Sequence, residues 1–291
     1  MTHKYARTLV VKYGGGAMAA PSCRAGTDPV LAEIATLREA NSAVVLVHGG
    51  GPEIDAALAE RGVETVRIDG MRVTGAATLE ITEAVLCGTI NKRIVREAIA
   101  LRMPAVGLSG QDGSMLVAER ATGARGEDLG YVGRIVATDV RPIDALLDAG
   151  FLPIVAPLAI ARDGSHAYNV NADLAAAALA GALRADAFVA ITNVPRVFRD
   201  PDDPASGIDA LTPEDALRFA AGDACRSSMK PKLQAAARAV RGGAGAAYIC
   251  SAKPNAIAGA VRGDATVIRS DDSTGHRAKV QPRIVIWHPA R

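Results

Sequence analysis

Three residues far apart in the chain could act on an anion: Lys12, Asp173 and Lys232. Lys12 follows the β-branched run at 8–11 and precedes Gly14-Gly15-Gly16. An ammonium there can set a point charge on phosphate oxygens. On position alone, a solvated lysine at a strand end is the plainer reading. Lys232 falls in the first turn of a helix opened by Met229-Lys230-Pro231. A cation there opposes the helix dipole unless an anion lies nearby. Asp173 directly precedes an alanine-rich helix over 174–183 and reads equally as its N-cap or as a site carboxylate. Asn169 and Asn171 alternate with it, so on an extended segment the three would share one face. Arg72, in a predicted hairpin over 62–75, can fork a carboxylate or be an exposed hairpin arginine.

Two glycine turns complete the set. In VVLVHGGGPEI, four apolar residues lead to His48 and then to Gly49, Gly50 and Gly51. Pro52 opens a helical pattern and suits a first turn, where its missing N–H would be unpaired anyway. Glycines let backbone N–H groups approach a ligand closely, and a helix N-terminus favours an anion. A merely glycine-rich turn is the bland alternative. The motifs GxxxxGK[ST], GxGxxG and GxSxG are absent, which argues against a P-loop nucleotidase, a dinucleotide enzyme and a serine hydrolase.

The elements that must position these residues alternate between strand and helix. Strands are predicted at 8–11, 44–47, 105–108, 152–156, 188–191, 247–249, 266–268 and 284–287. Helices are predicted at 30–40, 76–99 with an interruption at Gly88, 139–149, 174–183, 213–221, 229–241 and 255–261. Segments 115–118 and 133–136 read as one hairpin, and Asp163-Gly164 as the turn of another. The expected class is α/β, a three-layer sandwich with a mainly parallel central sheet. Ligands of such sheets sit beyond the carboxyl ends of the strands, where both glycine turns would lie. An internal boundary is expected near 174–187, giving a lobe over 1–183 and a second over 184–291.

With 291 residues the chain can bury a sizeable core, and with 3% aromatic residues that core must be aliphatic. The net charge of +2 and the lack of a basic run give no support for nucleic-acid binding. The cysteines at 23, 87, 225 and 250 lack metal-type spacing. No signal-peptide pattern or membrane-length apolar run appears, so a soluble cytoplasmic protein is expected.

Taken together, the segments KYGGGAM (12–18), HGGGPEI (48–54), DGMRVT (69–74), NKRIV (91–95), GLSGQDG (107–113), YNVNAD (168–173) and MKPK (229–232) resemble the amino-acid kinase family, in that family's order. The resemblance is strongest to its acetylglutamate kinases. It implies ATP-dependent phosphorylation of the side-chain carboxylate of an N-acylated acidic amino acid, giving an acyl phosphate. Lys12 and Lys232 would then neutralise charge on the moving phosphoryl group, and Asp173 would orient both. Gly14, Gly15, Gly49 and Gly50 would offer N–H groups to the γ-phosphate. Gly51, Arg72 and Asn169 would hold the amino-acid substrate in the first lobe. Thr192, Asn193, Val197 and Phe198 would lie by the nucleotide in the second. Mg²⁺ would be held mainly by the ATP phosphates, with no metal site of the protein's own. A carboxylate nucleophile is ionised at neutral pH, with a reference pKa of about 4.3 for Glu, so no general base is required.

Several positions depart from the acetylglutamate pattern. Asn193 stands where Asp is usual, Arg196 where Gly is usual, and Ser227-Ser228 where a Gly-Gly pair is common. Asn193 and CGTINKRIV lean toward the kinases of carrier-protein-bound α-aminoadipate, whereas GMRVT and HGGGP lean back. The expected partner is therefore a small acidic amino acid or a carrier protein bearing one. A non-catalytic amino-acid or nucleotide sensor on the same fold is the alternative of another class. Because Lys12 comes so early, no arginine-sensing helix is expected before the first strand. A homodimer without that feedback is expected. The tail 269–291 extends past the usual family end.

Overall fold

The computed structural model describes residues 5–14, 28–68 and 70–271. In chain order they form β1 (Arg7–Tyr13), α1 (Pro29–Glu39), β2 (Ser42–His48), α2 (Gly51–Glu60), β3 (Arg67–Ile68), β4 (Met71–Arg72), α3 (Ala76–Glu83), a π-helical turn (Ala84–Ile90) and α4 (Asn91–Ala100). Next come β5 (Ala105–Ser109), β6 (Leu116–Thr122), β7 (Asp128–Thr138), α5 (Arg141–Asp148), β8 (Leu152–Ala156), β9 (Leu158–Ala161), β10 (Ala167–Asn169) and α6 (Ala172–Ala182). The remainder is β11 (Ala187–Thr192), β12 (Ala210–Leu211), α7 (Pro213–Ala221), α8 (Lys230–Arg241), β13 (Ala246–Ser251), α9 (Ala256–Arg262) and β14 (Thr266–Ile268). The predicted strand at 284–287 lies outside the described residues, as do Gly15, Cys23 and most of the tail.

The central sheet runs β12-β14-β13-β11-β1-β2-β8-β5. Its pairings are parallel except β13–β14. Both faces are covered, which is why its strands are continuous apolar runs rather than alternating ones. All of β2 is buried. Its Val45 and Val47 belong to the core on the side of α5, α6, α7 and α8, while Val44 and Leu46 belong to the core on the side of α1, α2, α4 and α9. The result is the three-layer α/β sandwich read from the sequence. Full burial of each such side chain is worth about 1.5–3 kcal/mol, so a one-residue slip of β2 would exchange its two sets of neighbours. No helix among the described residues is long and apolar enough to cross a membrane.

Two features exceed the sequence reading. The segment predicted as one interrupted helix runs unbroken through Gly88, which the π turn absorbs as a bulge. The two predicted hairpins are present, but their strands join into a small closed barrel ordered β10-β7-β6-β9. The β3–β4 hairpin is tied to it through a bridge between Thr74 and Gly130.

Candidate active site

β1 extends two residues past its β-branched run, so Lys12 lies inside the strand rather than at its end. Strand alternation puts Lys12 on the same face as Val10, the face covered by α6. There its Nζ lies 2.9 Å from Oδ1 of Asp173, both side chains being almost fully buried. The contact is a close ion pair without hydrogen-bond alignment at Oδ1. Lys232, in the first turn of α8, places its Nζ 3.3 Å from Oδ2 of the same carboxylate. The anion that its position calls for is therefore Asp173.

Asp173 is free for this because it is not the helix N-cap. Asn171 caps α6, its side chain accepting from the N–H of Asp173 at 2.8 Å and of Leu174 at 3.2 Å. The extended segment ends at Asn169, which corrects the expectation that the two asparagines and Asp173 share one strand face. Burial pushes the Asp173 carboxyl upward, but Lys12 and Lys232 outweigh it and hold the group below its ordinary range. Burial pulls Lys12 below the usual lysine value of 10.5, aided by Lys232 and opposed by Asp173. Two ammonium groups against one carboxylate leave a formal charge of +1 at one edge of the cleft.

Both glycine turns reach this edge. The N–H of Gly49 donates to the carbonyl of Tyr13 at 2.9 Å, tying one turn to the other. This corrects the role expected of Gly49, whose N–H is already committed. The N–H groups of Gly14, Gly50 and Gly51 have no hydrogen-bond partner among the described residues. Gly50 is closely packed: a Cβ there would fall 2.3 Å from Cδ1 of Ile90 and 2.8 Å from Cδ2 of Leu86, both on the π turn, so those side-chain tips would have to shift. Gly51 and Pro52 open α2, so its N-terminus faces the same space.

Opposite stand Arg72 and Asn169. Arg72 is buried, paired with Asp55 of α2, and donates to the Gly51 carbonyl at 3.2 Å. Arg67, its cross-strand neighbour, meets the same Asp55 at 2.6 Å. Asn169 Nδ2 donates to Oγ1 of Thr74 at 3.1 Å, and that hydroxyl donates to the carbonyl of Arg72 at 2.8 Å. One fully buried threonine thus links the two expected substrate anchors.

Lys12, Gly14, Gly49, Gly50, Gly51, Arg72, Asn169, Asp173, Thr192, Asn193 and Lys232 line one cavity of about 320 Å³. Val197 and Phe198 do not border it. Val197 is buried, its N–H donating to Thr266 Oγ1 and its carbonyl accepting from Ile208, while Phe198 bridges to Gly207. Arg196 is turned away as well, held by Asp209 at 2.5 Å and by the Gly263 carbonyl at 3.3 Å. The sequence reading assigned no role to Asp55, Thr74, His48 or Asn91. Thr74, His48 and Asn91 lie within quoted motifs, which was the available signal. Asp55 had none, being an ordinary acidic residue in a helix.

The profile of the amino acid kinase family matches residues 7–251. An acetylglutamate kinase of Methanopyrus kandleri is 43% identical over 228 residues, covering 77% of this chain and 90% of that one. An acetylglutamate kinase of Rubrobacter xylanophilus is 40% identical over 267 residues, covering 91% of this chain and 98% of its own. Among solved structures, N-acetylglutamate synthase from Neisseria gonorrhoeae, complexed with coenzyme A and N-acetyl-glutamate, shares the fold at TM-score 0.76 and 24% identity. The match covers 92% of this chain, which spans only 60% of that longer one. Parallel sheet, paired lysines, glycine turns and an extended sequence match all lead to one assignment: the chain belongs to the amino acid kinase family.

Proposed function

We propose that the protein transfers the γ-phosphoryl group of ATP to the side-chain carboxylate of N-acetyl-L-glutamate, a step of arginine biosynthesis. One carboxylate oxygen bonds to phosphorus as the bond to the β-phosphate oxygen breaks, giving N-acetylglutamyl 5-phosphate and ADP. The observation that carries this reading is the Lys12–Asp173–Lys232 group beside the unpaired N–H groups of Gly14, Gly50 and Gly51, in one cleft with Arg72 and Asn169. The high identity to acetylglutamate kinases over most of the chain supports the choice of substrate.

The chemistry asks little of the protein beyond placement and charge. The two lysines face charge that spreads over the phosphoryl oxygens, and the glycine N–H groups add donors that need no reorganisation. Asp173 holds both lysines and is consumed by them, so it is not a proton acceptor. Arg72 and Asn169 would hold the substrate's α-carboxylate in a lobe spanning 1–183. Thr192 and Asn193 would flank the nucleotide in a lobe spanning 184–291. Mg²⁺ binds through phosphates and retained waters, and would be carried here by the nucleotide, supplying charge neutralisation. A homodimer and a cytoplasmic location belong to the same proposal, and light scattering on the purified protein tests the former.

Hydroxamate trapping with Mg-ATP decides the substrate. N-acetylglutamate is expected to give far more acyl phosphate than free glutamate, N-acetylaminoadipate or a carrier-bound aminoadipate. A dominant signal from either aminoadipate substrate would overturn the assignment, and no signal from any would favour a sensor.

A further inference from the structure

His48 ends β2 immediately before the glycine turn and is completely buried. Its Nδ1 lies 2.9 Å from the carbonyl oxygen of Gly49. Its Nε2 lies 3.2 Å from Nδ2 of Asn91, the first residue of α4. We propose that His48, held by Asn91, is a positioning residue that fixes the Gly49–Gly50 peptide so that the Gly50 N–H faces the transferred phosphoryl group. The proposal rests on the phosphoryl-transfer reading of the cleft.

The geometry fixes the tautomer twice over. A carbonyl oxygen only accepts, so Nδ1 must carry the proton. On the other side, Asn91 Nδ2 also lies 2.8 Å from the carbonyl oxygen of Ile154 and 3.3 Å from that of Leu108, its two hydrogens being shared among these oxygens and Nε2, while its Oδ1 receives Lys92 Nζ at 3.3 Å. That end of Asn91 is therefore the NH₂ group, and Nε2 must be the bare acceptor. Burial holds the imidazole near a pKa of about 4, with Arg93 adding to the shift and the Gly49 hydrogen bond opposing it. The ring is thus neutral at physiological pH.

In a trans peptide the C=O and the following N–H point in opposite directions. Anchoring the Gly49 oxygen on the imidazole therefore aims the Gly50 N–H away from the core, on the side where Gly50 borders the cleft. The same N–H has no other partner among the described residues. Two further features keep the arrangement closed. The π turn brings Leu86 and Ile90 flush against Gly50 and ends where Asn91 begins. Gly107 leaves room for Asn91, since a Cβ there would fall 1.8 Å from its Oδ1. His48, Asn91 and Gly107 come from HGGGPEI, NKRIV and GLSGQDG, so three separated segments converge beneath one peptide plane.

The test uses the full chain with His48→Asn and His48→Gln. The Asn amide nitrogen reaches the place of Nδ1 and keeps the donor to Gly49, whereas the Gln nitrogen reaches the place of Nε2. H48Q is expected to lose about 10–100-fold in kcat, at or below the low end of the ~10²–10³-fold loss seen on removing a preorganised donor, because here the donor is misaimed and not removed. Its KM for N-acetylglutamate should stay within about twofold. H48N should retain kcat within about fivefold at a similar fall in Tm. Equal kcat losses in both variants, or a loss confined to KM, overturn the proposal. Nitrogen-15 NMR of the unmodified protein should show His48 protonated at Nδ1 and bare at Nε2, and the opposite tautomer overturns it without any assay. A correct tautomer in a protein without kinase activity would instead sink the phosphoryl-transfer reading.

Discussion

The Nζ of Lys12 stands 2.9 Å from Oδ1 of Asp173, in a setting where both side chains are almost wholly withdrawn from water. Burial, aided by Lys232, lowers Lys12, and Asp173 is the group that partly offsets the fall. Asp173→Asn keeps the shape but removes the charge, so the Lys12 pKa falls further. The alkaline limb of the kcat profile should then move to lower pH, and kcat should drop about 10²–10³-fold. Lys12→Ala and Lys232→Ala should lose rate on the same scale. Steady-state kinetics across pH checks all three, and near-normal turnover in either lysine variant would refute the assigned roles.

Thr74 joins Asn169 to the Arg72 carbonyl through one hydroxyl. Thr74→Val preserves volume and removes both hydrogen bonds, each worth about 0.5–1.5 kcal/mol net. KM for N-acetylglutamate should rise about 3–10-fold with nucleotide KM unchanged. Thr74→Ser should restore it. A serine variant as impaired as the valine one would mean that packing, and not the hydroxyl, matters.

Arg72 meets Asp55 and the Gly51 carbonyl while bordering the cleft. Arg72→Lys keeps the charge but loses the planar fork. Hydrogen bonds to charged groups are worth about 1.5–3 kcal/mol, so KM for the amino-acid substrate should rise about 10–100-fold. Isothermal titration with N-acetylglutamate gives the check, and unaltered affinity would remove Arg72 from the substrate site.

Arg196 pairs with an exposed Asp209 and stays clear of the cleft. Such exposed pairs contribute about 0–1 kcal/mol. Arg196→Ala should leave nucleotide KM within about twofold and lower Tm slightly. A large change in nucleotide KM would place the cation back at the nucleotide.

Stability should respond to His48 on the acid side. Its pKa is about 4 when folded against 6.5 as the ordinary value. The unfolded chain therefore binds the extra proton first, and stability falls as pH drops from about 6.5 toward 4. The drop attributable to this group is on the order of 3 kcal/mol. Denaturant titrations at stepped pH should show it, and His48→Asn should flatten it. An unchanged slope in that variant would assign the acid sensitivity elsewhere.

Much of this protein is decided locally. Continuous apolar runs and helical spacings specify the layers, because strands buried on both faces are apolar throughout and amphipathic helices carry their period in the residue order. The motif residues Lys12, Asp173, Lys232, Gly50, Arg72 and Asn169 were readable as candidates from the ordered motifs that hold them, although Lys12 proved to lie inside its strand and not at the end. What sequence alone left open was which atoms were already engaged. Gly49 and Gly50 are identical residues in one turn, yet the parallel register of β1 and β2 commits the N–H of Gly49 to Tyr13 and leaves that of Gly50 unpaired. Asp173 could have capped its helix until Asn171 took that place. Val197 sits in an expected nucleotide segment, but the pairing of its backbone with Thr266 and Ile208 buries it. Hydrogen-bond partners separated by tens or hundreds of residues are set only when the sheet order brings them together, and that order is a property of the packed chain.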